Sequence, residues 1–138
     1  MYLLDTDTLS ALHRDNAKVI ARLARANEAV ATTIITRVEI LRGRLDYVRK
    51  AATGDEVLRA QHWLNRSEEL LALIQIVPFD ATAARLFDGL QTIPRLRKIG
   101  SPDLLIGSIA LAHTATLVTR NLRHFQLIPR LRFENWMD

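Results

Sequence analysis

Cysteine is absent from all 138 residues. That excludes disulfide staples and thiolate metal ligands, and it suits a reducing compartment. Lysine is scarce, with three of nineteen basic residues, the other sixteen being arginine. No internal repeat, linker or low-complexity segment breaks the chain. A membrane-spanning run is missing too. The charge-free stretch from Leu104 to Thr119 is short and ends in polar residues, which is not how a span reads. The opening MYLLDTD has no basic start and reaches an acid at its fifth residue, unlike a secretory signal. A cytoplasmic protein with no membrane contact is the expectation.

What remains is apolar and basic. Hydrophobic residues make up 49% of the chain, so it can bury a core, and disorder is excluded. The length predicts one domain, residues 1–138. The formal net charge is +4. Arginine binds phosphate bidentately and stacks on bases. RNA, DNA or an acidic partner is therefore a plausible reading, against a surface that is basic for solubility alone.

Tyr2-Leu3-Leu4 reads as a buried strand ending at Asp5. A short helix follows over Thr6–His13, and Val19, Ile20, Leu23 and Ala24 give a second helical stripe within 16–26. Strand patterns recur at 29–33, Ile76-Val77, 115–118 and, at an edge, 131–133. Helices are expected from Thr36 toward Arg49, over 55–74, after Asp80, and after Ser101. Short apolar strands alternating with helices imply an α/β fold whose parallel sheet is covered on both faces.

Three acids stand out. Asp5 ends the first strand, Glu39 follows Thr36, and Asp103 opens an apolar helix with no other charge until Arg120. Each has a bland explanation. Asp5 and Asp7 suit a helix cap. Thr36-Arg37-Val38-Glu39 has the pattern of a capping box. Asp103 answers a helix dipole behind an N-cap Ser101 and a first-turn Pro102. All three nevertheless lie where strands end and helices begin, which is where open parallel sheets build their sites. If they meet, their like charges need a cation. Oxygen ligands without Cys or paired His favour Mg²⁺ or Mn²⁺. An acidic metal pocket in a basic protein suits phosphodiester hydrolysis.

LLDTDTLSAL, TRVEILRG, IGSPDLLIGSIALAHTATLVTRNLRHF and LIPRLRFENW together resemble a PIN domain, and more narrowly the VapC-type toxins of bacterial toxin–antitoxin pairs. The resemblance runs from Tyr2 to Trp136. It implies a three-layer α/β/α sandwich with a short central parallel sheet. It implies a Mg²⁺-dependent endoribonuclease, with Mn²⁺ as a substitute, that cuts structured RNA such as tRNA or rRNA. It further implies a cognate VapB-type antitoxin and a homodimer. Asp5, Glu39 and Asp103 match the family's catalytic acids. Asp5 and Asp103 would bind the metal, while Glu39 binds it or positions water. Thr6, Thr119 and Asn121 fall in supporting positions. The chain departs from the family near Thr119–Phe125, where many members carry a fourth acid and this one offers Asn121 and His124. Asn121 reads equally as a turn or cap residue, and His124 as a surface residue. Arg37, Arg42, Arg44 and Arg49 share one helix, each read as a solvated face before a phosphate contact. The residues that touch RNA stay unknown.

Two other functions compete. The DTDT start fits a haloacid dehalogenase-type phosphatase, with Asp5 as nucleophile and Asp7 as general acid. Against it, Asp103 is followed by no acid until Glu134. The other is a PIN-like module that binds RNA or a partner without cutting.

Overall fold

The computed structural model describes Met1–Asp138. Strand and helix alternate as β1 (Tyr2–Leu4), α1 (Thr6–His13), α2 (Ala17–Ala24), β2 (Val30–Thr33), α3 (Ile34–Lys50), α4 (Gly54–Leu73), β3 (Gln75–Val77), α5 (Ala81–Gln91), a 3-10 turn over Pro94–Lys98, α6 (Ser101–Ala112), β4 (Thr116–Val118), α7 (Leu122–Phe125) and β5 (Arg132–Glu134). The strands make one sheet, parallel throughout, in the order β3-β2-β1-β4-β5. This is the expected α/β architecture.

The strand order fixes where the helices go. From β1 the chain steps one way to β2 and β3, then returns across β1 to β4 and β5. Right-handed crossovers in opposite directions place their helices on opposite faces. Leu3 and Leu117 pack against α5 and α6 through Leu90, Leu104, Ile106 and Ile109. Tyr2, Leu4 and Val118 point the other way, onto Leu9, Val19 and Leu71 of α1, α2 and α4. Both faces being covered explains why β1 and β4 read as unbroken apolar runs. The most apolar helix, α6, buries Leu104, Ile106, Gly107, Ser108, Ile109 and Ala110. The C-terminal tail closes on β1. Tyr2 and Trp136 meet edge to face with centroids 5.1 Å apart, and Trp136 donates from Nε1 to Glu134.

Two helix starts differ from expectation. In α3 the N-cap is Thr33, whose hydroxyl accepts the Thr36 N–H at 3.2 Å. Thr33 is also the last residue of β2, paired with Val77. The strand runs straight into the helix, Thr36 lies in the first turn, and Glu39 has no cap to bond back to. The capping-box pattern is used at α4 instead. There the Thr53 hydroxyl accepts the Glu56 N–H, and Glu56 accepts the Ala52 N–H at 2.9 Å. In α6 the N-cap is Gly100, which has no side chain to offer. Ser101 and Pro102 are the first two helical residues, so Asp103 is the third.

Leu117, fully buried in β4, gives the test of this packing. Leu117→Ala should cost about 2–5 kcal/mol in chemical denaturation, whereas Leu73→Ala, at a position 87% exposed, should stay within about 0.5 kcal/mol of the parent.

Candidate active site

The topological reversal between β1 and β4 leaves a crevice beyond their carboxyl ends. Leu4 pairs with Val118, so the next residue on each strand, Asp5 and Thr119, flanks that crevice. The Asp5 N–H donates to the Val118 carbonyl at 3.0 Å and extends the ladder by one bond. The Asp5 carboxylate caps α1, its Oδ1 accepting the Thr8 N–H at 2.9 Å. The capping reading of Asp5 is met, at a residue that also borders the crevice.

Asp5 is 5% exposed. Burial pushes its carboxyl above the usual aspartate range. The Thr119 hydroxyl and the Thr8 N–H pull it back down without cancelling the shift, and the Asp7 charge adds to the rise. Thr119 is fully buried, and its hydroxyl also accepts the Asn121 N–H at 2.9 Å.

Glu39 reaches the same edge from α3. Its Oε1 accepts from the hydroxyl of Thr6, the residue after Asp5, at 2.6 Å. The Thr6 hydroxyl lies 3.1 Å from that of buried Thr36. Thr6 thus ties the start of α1 to the first turns of α3. On the far side, the Asn121 side-chain amide donates to Asp103 Oδ2 at 3.2 Å. Asn121 occupies the N-cap position of α7, but its side chain makes no capping bond. Of the two roles open to it, the structure shows the contact with an acid.

His124 is partly exposed, as the surface reading has it, and also lies beside Asp103. Its Nδ1 is 3.6 Å from Asp103 Oδ2 and 3.1 Å from the Asn121 amide nitrogen. The signal was present in the sequence, because residues three apart on a helical turn share a face. Asp7 goes the other way. It is exposed on the first turn of α1, and its side chain makes no hydrogen bond.

Glu39, Thr6, Asp5, Thr119, Asn121 and Asp103 thus form one line of adjacent or bonded residues along the sheet edge. The acids do not close into a single ligand cluster, since no group of three His, Asp or Glu side chains is tight enough to hold an ion. The polypeptide leaves them to be bridged by hydroxyl and amide groups. The donor set still fits a divalent cation of the Mg²⁺ type, which takes one or two carboxylates and keeps several waters. A cation would also give the buried Asp5 charge the partner it lacks. Beside Glu39 a groove of about 460 Å³ opens between α3 and α6, lined in part by Ile35, Val38, Arg42, Pro102 and Leu105.

The family model for the PIN domain matches residues 2–131. The chain belongs to the PIN-domain family. This PIN domain is 30% identical to Ribonuclease VapC2 of Rickettsia felis over 99% of its own length and 98% of that protein's. It is 26% identical to Ribonuclease VapC1 of Haemophilus influenzae, with 99% and 98% covered. In three dimensions it resembles a chain in the crystal structure of VapBC2 from Rickettsia felis bound to a promoter DNA fragment. The TM-score is 0.79 at 28% identity, over 98% of both chains. Membership displaces the phosphatase reading of the DTDT start, in agreement with the exposed, unbonded Asp7.

Asp5→Asn keeps an oxygen for the Thr8 N–H and removes the buried charge. In EDTA at neutral pH this variant should melt above the parent. Since the folded-state pKa of Asp5 lies above the unfolded one, the penalty is fully present above the folded value. It fades as pH falls through that value toward the ordinary aspartate range. The two melting curves should therefore converge in acid, which scanning calorimetry across pH will show.

Proposed function

We propose that this PIN domain, residues 1–138 taken as one unit, is a metal-dependent endoribonuclease and the toxin of a toxin–antitoxin pair. Its substrate class is structured RNA such as tRNA or rRNA. The observation that carries the reading is the bonded line from Glu39 through Asp5 to Asp103 at the switch point of the sheet. A chain with sixteen arginines surrounds it, and the relatives named above are ribonucleases.

Asp5 and Asp103 would hold Mg²⁺, with Mn²⁺ able to replace it. The ion supplies positive charge against a phosphodiester transition state and eases deprotonation of water. The protein does the positioning. Thr119 and the Thr8 N–H hold the Asp5 carboxylate in one orientation. The Asn121 amide occupies one oxygen of Asp103 and leaves the other for a ligand. Thr6 holds Oε1 of Glu39, and the second oxygen is left to accept a proton from an attacking water. Asn121, where relatives often carry a fourth acid, brings no charge, which argues for one resident ion rather than two.

The α3–α6 groove suits the antitoxin. Val38 and Leu45 of α3 are 56% and 52% exposed. A partner helix laid across them would bring a basic side chain to Glu39. We also place the protein in the cytoplasm as a homodimer. No helix is long and apolar enough to cross a membrane.

Asp103→Asn should lower RNA cleavage at least about a hundredfold and relieve growth arrest, with the melting transition kept. Asp7→Asn should retain cleavage. EDTA should abolish activity, and added Mg²⁺ or Mn²⁺ should restore it. Sequencing the RNA ends produced on induction measures all of these. A toxic Asp103→Asn variant would overturn the assignment.

A further inference from the structure

Away from the acids, α1, α3 and α4 bring together a group that the reaction does not use. His13, at the end of α1, is 6% exposed, and its Nε2 has no hydrogen-bond partner. Its ring packs on Trp63 of α4, with centroids 5.2 Å apart. Two guanidiniums share the same indole. Arg44 from α3 lies 5.5 Å from the ring centroid and Arg66 from α4 5.8 Å. Arg44 is aimed by a donated bond from Nε to the hydroxyl of Ser67 at 3.0 Å, and Ser67 is itself 1% exposed. A void of about 10 Å³, room for about one water, lies between His13, Arg44, Ser67 and Ser10.

Charge makes this group unusual. After burial, the charges of Arg44, Arg66 and Arg14 hold the His13 imidazole below its usual range, with only Asp15 acting the other way. Burial and then Arg14 likewise depress Arg44. None of the three arginines has a carboxylate within ion-pair distance. Three cations on three helices, one of them fixed by a buried serine, repel one another unless an anion comes between them.

We propose that Arg44 and Arg66, which lie on Trp63, together with Arg14 next to His13 at the end of α1, form a second RNA-backbone site that grips phosphate a few nucleotides from the bond that is cut. The site rests on the ribonuclease reading for its purpose, but not for its chemistry. Guanidiniums pair bidentately with phosphate, and the Trp63 ring beneath Arg44 and Arg66 holds the two close together. Its position suits a strand already engaged at the acids. Along α1, Asp5 and Arg14 bracket roughly 13 Å, and along α3, Glu39 and Arg44 are roughly 7 Å apart. An acidic side chain from a protein partner would engage one guanidinium, whereas successive phosphates of one strand can meet several.

The test is a salt titration of binding to a short single-stranded RNA in EDTA, comparing the parent chain with Arg14→Gln/Arg66→Gln. Both arginines are exposed, so the fold should survive, and circular dichroism will confirm it. The expected result is at least a tenfold weaker Kd at moderate salt. The dependence of log Kd on log salt should be shallower by about 1.4, two phosphates at about 0.7 each. Arg44→Lys keeps the charge but loses the Ser67 bond and the planar fork, and should fall between the two. An unchanged slope and Kd in the folded double variant would overturn the site. So would unchanged RNA binding accompanied by weaker antitoxin binding, which would mark a protein contact. Cleavage by the parent chain in Mg²⁺ is scored separately. If it is absent while the slope still changes, the nuclease reading fails and the site stands. If it is present without a slope change, the reverse holds.

Discussion

A carboxylate buried one residue past the end of the central strand constrains the rest of this molecule. Asp5 cannot leave the interior, because its N–H closes the ladder to Val118 and its side chain caps α1. It cannot sit there cheaply either, because burial disfavours its charge. The surrounding residues offset part of that cost without removing it. Thr119 and Thr8 are fully buried beside it, and both contribute bonds to the charged form. What they leave over is a standing preference for a cation at the mouth of the crevice. Functional sites commonly hold strain of this kind in a scaffold rigid enough to keep it.

The scaffold keeps it through α3. Most helices here belong to one face of the sheet, but Ile34 and Ile35 join one core while Ile40 and Leu41 join the other. The helix therefore passes over the carboxyl edge of the strands instead of lying along a face. That path is what lets Glu39 meet Thr6 beside Asp5. It also carries Arg44 toward α1 and α4, so one helix serves the acids near its start and the arginine cluster beyond them. On the reading proposed above, a negative pocket inside a positive surface would draw a polyanion over the surface and leave a gap for a cation at one point.

Asn121 and His124 surround one oxygen of Asp103. The amide donates to it, so Asp103 stays oriented with or without an ion. The imidazole of His124 lies near the same oxygen. The polypeptide itself thus organises this edge of the sheet.

The strands, the parallel sheet and most helix spans were legible in the residues themselves. Two-sided burial writes an apolar run, and helix faces write a 3.6-residue period. Asp5 was legible as an acid where a strand hands over to a helix, whereas Asp103, expected at such a point, opens a helix that follows the 3-10 turn Pro94–Lys98. The starts of α3 and α6 were not legible. Thr33 and Thr36, or Gly100 and Ser101, compete on nearly equal local terms. In α3 the choice was made by strand pairing between Thr33 and Val77. The meeting of His13, Arg44 and Arg66 on Trp63 lay further out of reach. Local propensity acts over a few residues, so it determines the elements. Contacts between positions tens of residues apart depend on how those elements pack, and only the folded chain decides them.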